Sequence, residues 1–233
     1  VWLKRDLRMQ DHEPLARAEK DNIPYIIIFC FEPKLIEYQD TSLRHLQFIF
    51  HSILSINTLL KKFNRKVEIF HADAIDVFTF LNSKFQINKI FSHQESGTKI
   101  TWDRDKEVQI FCNENNINWQ EVQRDGIIRG IKNRDQWDQR WHATMHRPII
   151  RNKFSDAYLE SIVHPFKLSI DFKNQLEEYP SQYQPAGEYN AWRYLRSFAD
   201  GRGFKYQRNI SKPSESRLSC SRMSPYLAWG NIS

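Results

Sequence analysis

The 233-residue chain has no apolar run long enough to span a membrane, and with 40% apolar residues and a mean hydropathy of −0.65 it reads as a soluble globular protein. No secretory signal is visible. Its three cysteines, Cys30, Cys112 and Cys220, are too widely spaced for a disulfide framework or a zinc site, so a reducing, cytoplasmic setting and no bound metal are expected. Internal repeats and low-complexity tracts are also missing. There is no GxGxxG after the first apolar run and no GxxxxGK[ST] anywhere, which excludes the dinucleotide fingerprint and the P-loop as phosphate-binding devices. Any nucleotide has to be held in another way.

What is present is an alternation of two periods. Val1–Leu3 is apolar and runs into the charged loop Lys4–Arg8; Asp11 then precedes a helical pattern around Leu15 and Ala18, with Pro14 in its first turn. Tyr25–Phe31 is a continuous apolar run, the mark of a strand buried on both faces. Ser42–Lys62 carries apolar residues at helical spacing on a broad face. Val67–Phe70, Lys89–Ser92 and Ile117–Val122 read as further strands, separated by helices over Ala74–Phe85 and Ile100–Asn115. Five strands linked by helix-length crossovers predict an α/β fold: an open, parallel, Rossmann-like sheet with helices on both faces. In such a sheet ligands sit beyond the carboxyl ends of the strands, which here puts Lys4–Arg8, Glu32 and His93–Gly97 on the functional rim.

Beyond Val122 the pattern weakens. The expected organisation is an α/β domain over 1–125, a linker over 126–186 with short helices around Asp135–Met145, and the start of an all-helical domain over 187–233, opened by a helix at Glu188–Asp200. Val1 lies inside an apolar run and Ser233 early in an expected helix, so the chain reads as a piece of a longer one. The net charge of +6 is concentrated. Arg124–Lys153 holds eight Lys/Arg against three Asp, and Trp192–Arg222 holds eight against two acids, with the acidic segment Phe154–Ala191 between them. Basic residues interleaved with Trp137, Trp141, Trp192, Tyr194, Phe204 and Tyr206 suit a surface that meets phosphates and stacks on planar rings, or a solvated basic face over buried aromatics. Trp137 and Trp141, one turn apart, read as core packing.

The final stretch, Ser216–Ser233, reads as a phosphate site. Ser224 before Pro225 reads as an N-cap with proline at the first helical position. Ser219, Cys220, Ser221 and Arg222 gather hydroxyls and a cation at that helix start, where an anion is welcome. An ordinary capped helix without a ligand fits the same residues.

Taken together, the opening WLKRDLRMQDHEPL and the end of the chain resemble the DNA photolyase and cryptochrome family. The opening is similar to the family's W-[FL]-R-[RK]-D-L-R-x-x-D-N-x-x-L. Tyr206, Ser221, Met223, Ser224, Pro225, Leu227, Gly230, Ile232 and Ser233 match its tyrosine and its later T-S-x-L-S-P-x-L-x-x-G-x-[IVL]-S. His12 stands where the family has asparagine, and Cys220 where it has threonine, which puts one phosphate contact in doubt because a thiol is the poorer donor.

The resemblance implies the N-terminal portion of a deoxyribodipyrimidine photolyase, a flavin-dependent lyase that uses blue light and an electron from reduced FAD to split pyrimidine dimers. The alternative is a cryptochrome-type blue-light photoreceptor that binds FAD without repair. It implies FAD contacts at Tyr206, Cys220, Ser221, Arg222, Met223 and Ser224, with catalytic residues expected beyond Ser233, so that this chain alone is inactive and binds FAD weakly or not at all. A second antenna chromophore of folate or flavin type is allowed, with Glu95 near its ring in some members; Glu95 reads equally as a solvated acid at a strand end. Damaged double-stranded DNA is the implied partner of a monomeric protein, faced by Arg193, Arg196, Arg202 and Lys205. Asp6 and Arg8 read as an ion pair fixing the first loop against the helical domain. A tightly packed helix at Arg222–Ser233 is not expected, its apolar partners being absent.

Overall fold

The structure, a computed structural model, describes residues 1–156 and 162–233, so residues 157–161 of the expected linker lie outside the described residues. The α/β part alternates β1 (Trp2–Leu3), α1 (Glu13–Lys20), β2 (Ile27–Cys30), α2 (Pro33–Ile36), α3 (Leu43–Leu60), β3 (Val67–Phe70), α4 (Ala74–Phe85), β4 (Lys89–His93), α5 (Lys99–Glu114) and β5 (Asn118–Val122). Every strand pair is parallel, as the crossovers require. Hydrogen-bonded ladders join β1, β2 and β3, and separately β4 and β5, while β4 packs beside the two-residue β1. The spatial order is therefore β3-β2-β1-β4-β5, and it reverses between β1 and β4.

Both faces of this sheet are buried, which explains the unbroken apolar run of β2. Ile27 and Phe29 point into one core with Leu3, Ile49, Ile53 and Ile56, and Ile28 and Cys30 point into the other with Trp2, Phe78 and Val108. The free edge of β3 is covered by the linker, whose Phe166 carbonyl accepts from His71 N at 2.9 Å. α1 is capped by His12, which has the extended backbone a cap needs and whose Nδ1 accepts from Leu15 N at 3.3 Å; Asp11 before it has φ +54.

The remainder forms α6 (Trp137–Met145), α7 (Ile170–Glu177), α8 (Glu188–Asp200), α9 (Tyr206–Asn209), α10 (Pro213–Ser219) and α11 (Ser224–Ala228). Sequence periodicity did not show α7. It is held by Leu176, fully buried in the first core, a burial that contributes roughly 2 kcal/mol, and by its Ser169 cap. α11 corrects the expected serine cap. Its cap position is Met223, already helical at φ −80 and ψ −15, so Ser224 is the first residue of the helix and caps nothing. The chain enters α11 from Arg222 in the left-handed region, φ +59.

α11 is nonetheless packed, against expectation. Tyr226 and Ile232 are buried against Phe48 of α3, Ala186 of the linker and Ala191 of α8, which supply the apolar partners. The loop 4–12 then locks onto residues 229–233. Leu7 N donates to Trp229 O at 2.9 Å, Asn231 Nδ2 to Leu7 O at 2.7 Å and Arg8 Nη1 to Gly230 O at 3.2 Å. Gly230 sits at φ +65, and a Cβ there would lie 2.3 Å from the Arg5 carbonyl oxygen. Only glycine allows this approach.

Candidate functional site

Two places gather chemistry. The first is the reversal of strand order, where the carboxyl ends of β1 and β4 bring Asp6 and His93 together. Asp6 is fully buried. Its Oδ1 accepts from Lys4 N at 2.7 Å and its Oδ2 lies 2.7 Å from His93 Nδ1 and 3.0 Å from His12 Nε2. Burial by itself would raise the carboxyl, but His12 and His93 hold it well below the usual carboxylate range. Burial pushes the His93 imidazole down to about 4 and lowers His12 as well, against the pull of Asp6. At neutral pH the cluster is thus a carboxylate between two neutral rings. Because His12 Nδ1 accepts from Leu15 N, the ring proton sits on Nε2, facing Asp6. A metal ion on Nε2 would leave that ring with no proton; the Lys4 amide and His93 hydrogen-bond Asp6, and His12 Nε2 stands 3.0 Å from it without hydrogen-bond geometry, which makes the three residues a clamp on the loop.

This arrangement corrects the expected Asp6–Arg8 ion pair. Asp6 serves the histidines, and Arg8 spends its donors on the carbonyls of Asp11 and Gly230. The loop is fixed against 229–233 as expected, by different bonds.

Beside the clamp, a cavity of about 300 Å³ opens over the ends of β1 and β2, lined among others by Arg5, Glu32, Tyr38, Glu95, Arg104 and Trp229. Glu95 is buried, not solvated, between Arg5 Nε at 3.1 Å and Arg104 Nη2 at 2.6 Å. Arg104 also pairs with Glu32 at 2.8 Å and Asp105 at 2.7 Å. Burial disfavours its charge, yet the three carboxylates hold it firmly protonated; Glu32 is raised by burial in spite of the arginine. Lys4 extends the lattice to Asp105 at 3.2 Å and Glu121 at 3.4 Å. The walls are rich in charge but close to neutral in sum.

The second place is the turn before α11. Arg202 donates to the carbonyls of Tyr194, Cys220 and Ser221, and Gln184 to that of Arg222. Three consecutive carbonyls, at 220–222, are tied back. Arg222 in the left-handed region followed by Met223 in the right-handed one turns successive N–H groups to the same side, a backbone nest of the kind that holds anions. Among the described residues, the N–H groups of Ser221, Arg222 and Ser224 have no protein acceptor. Tyr206 is half-buried with its ring edge-on to Phe198, and Cys220 is a free, half-buried thiol. Of the basic residues singled out, Arg193, Arg196 and Lys205 are exposed, while Arg202 is turned inward as a strut for the nest. No sequence signal marked Arg202 or Gln184 for this role, since the contacts join residues 18 and 38 positions apart.

Comparison with known proteins points to one family. The family model described as DNA photolyase matches residues 1–140. The chain is 23% identical to the deoxyribodipyrimidine photo-lyase of Buchnera aphidicola, covering all of this chain and 51% of that protein. It is 22% identical to the chloroplastic/mitochondrial cryptochrome DASH of Solanum lycopersicum, covering 84% of this chain and 35% of that protein. Among solved structures, the archaeal photolyase from Sulfolobus tokodaii, crystallised with two FAD molecules, superposes with a TM-score of 0.74 at 21% identity, over 100% of this chain and 52% of that one. The fold is shared throughout, and the chain spans about half or less of each relative's length. Among the described residues no helix is long and apolar enough to cross a membrane.

Proposed function

Since the chain belongs to the DNA photolyase family, we propose that it contributes the antenna domain and the phosphate end of the flavin site to a light-driven enzyme that repairs pyrimidine dimers in DNA. The observation that carries this reading is the amide nest at 221–224, with its carbonyls pulled away by Arg202 and Gln184. A pyrophosphate suits that nest, and FAD fits the residues present: N–H groups of 221–224, the Ser221 and Ser224 hydroxyls, the Arg222 guanidinium and the Tyr206 hydroxyl would hold its phosphates and ribityl chain. Cys220 offers only a weak thiol donor, and Met223 contributes backbone. When bound and reduced, FAD supplies the electron that light sends to the dimer. The protein's part is to bind, orient and shield it.

The cavity above β1 and β2 is the proposed seat of a second, antenna chromophore of folate or flavin type, with Glu95 and its two arginines in the wall. Arg193, Arg196 and Lys205, exposed on one side of the helical part, are proposed to meet the DNA backbone of a damaged duplex, which gives affinity that falls with salt. A monomeric protein in the cytoplasm accords with the reduced cysteines.

A second reading, a cryptochrome-type photoreceptor, is favoured by the relatives named cryptochrome DASH. The full polypeptide that carries this chain decides between the two. Loaded with FAD and illuminated with blue light, it is expected to remove thymine dimers from a synthetic duplex. Flavin that responds to light while the dimers persist would establish the photoreceptor reading instead.

A further inference from the structure

The helix α6 lies outside both sites, and the sequence led to the expectation that its two tryptophans are core. Among the described helices of eight or more residues it is the one without a buried residue. Trp141 anchors it: the ring lies so close to Gly126 that an added Cβ there would sit 2.1 Å from Trp141 Cδ1. Trp137 stacks on Trp141, with centroids 6.4 Å apart and planes at 28°, and stays 38% exposed. The inner ring is fixed by the backbone, and the outer ring is held by the inner one with a side open to solvent.

Around this pair the charge is unbalanced. Lys132, Arg134, Arg140, Arg147, Arg151 and Lys153 are all exposed, and Asp135 and Asp138 are the acids between the first and last of them. Among the described residues none of these six cations makes an ion pair, whereas Arg124 and Arg129 just before them are committed to Asp125, Asp105 and Glu121. Surplus cations beside a rigid aromatic platform meet the two needs of a strand whose bases are unstacked: phosphates to neutralise and ring faces to cover. A duplex keeps its base faces stacked, and a run of acidic side chains such as polyglutamate has no flat ring to set on Trp137.

We infer that residues 132–153, centred on α6, are a docking surface for single-stranded DNA, separate from the nest at 221–224 and from the exposed arginines of α8. The strand lies across the platform, with a base against Trp137 and its phosphates along the cations on either side.

The test is fluorescence anisotropy of a labelled twelve-nucleotide thymidine strand titrated with the 233-residue chain at several salt concentrations. Trp137→Ala is expected to weaken binding roughly tenfold or more, and Trp137→Phe to retain most of it. Arg140→Ala combined with Arg147→Ala should lower the slope of log K against log salt by about 1.4, at about 0.7 per lost contact on a single strand. Lys61→Ala with Lys62→Ala, on the α/β surface, should leave the affinity within about twofold of the parent, since these cations lie off the platform. Circular dichroism confirms that each variant is folded. The inference is overturned if the parent fails to bind at low salt, if Trp137→Ala binds like the parent, or if a duplex, a uridine strand or polyglutamate competes as well as the thymidine strand. If Arg193→Ala with Arg196→Ala abolishes binding while Trp137→Ala does not, the linker surface is refuted and the proposed DNA face of α8 stands.

Discussion

The loop Lys4–His12 and the segment Lys132–Lys153 are built from similar residues, both dense in cations and both close to tryptophan, yet they end in opposite surroundings. In the loop, Lys4, Asp6, Arg8 and His12 are buried, and each has partners brought from elsewhere: Asp105 and Glu121 for Lys4, His93 for Asp6, Gly230 for Arg8 and Asn152 for the His12 backbone. Around α6 no such partners arrive among the described residues, and the six cations there are exposed. Burying an ion without a partner costs several kcal/mol, so the supply of partners, and not the local composition, sorts the two stretches.

The largest way to break this contrast is to remove the hub of the loop. Asp6→Ala leaves buried His93 and the Lys4 amide without their acceptor and His12 without the charge beside it, and should cost about 3–5 kcal/mol in a urea denaturation experiment. A loss below 1 kcal/mol would mean that the clamp does not hold the loop.

A smaller effect is read from pH. The folded His93 is held near 4, below its ordinary 6.5, so the unfolded chain binds the proton first and stability falls as pH drops through that window. The Asp6 carboxyl, held down by His12 and His93 against the effect of burial, adds a further loss only below its ordinary value of 3.8. The His93 share is at most roughly 3 kcal/mol by pH 4. His93→Asn, which keeps a donor for Asp6 and cannot titrate, should flatten the stability curve between pH 6.5 and 4. An unchanged slope would assign the acid sensitivity elsewhere.

The smallest effect sharpens the other side. Trp137→Ala should change stability by less than about 0.5 kcal/mol, because the ring supports no core. A cost of 2 kcal/mol or more would restore the core-packing role that the sequence suggested for it.

Much of the fold was legible. β2 announces itself as an unbroken apolar run and α3 by its helical period, and the crossovers between strands leave few other topologies. α7 was missed because Leu176 is its one buried side chain, with Phe172 half-buried against Phe31 and His71, too few apolar positions to set a period, although Ser169 before it is a readable cap. At the candidate flavin site the sequence marked 220–224 as a phosphate site on the strength of a serine-capped helix start. The structure has a backbone nest there instead, and its two supports, Arg202 and Gln184, come from distant positions. Glu95 could be read either as a ligand or as a solvated acid. The structure buries it between two arginines, one from β1's loop and one from α5.

By itself the sequence determined the strand and helix alternation and the two end motifs that resemble the family, since both are written in spacings of a few residues. Only the tertiary structure decided which charges are buried, which tryptophans are exposed and why Gly230 must be glycine. Those outcomes depend on residues tens to hundreds of positions away, such as His93 for Asp6 and Arg5 for Gly230. Period is a property of neighbours along the chain, but the cost of burying a charge is settled by whatever the fold places beside it.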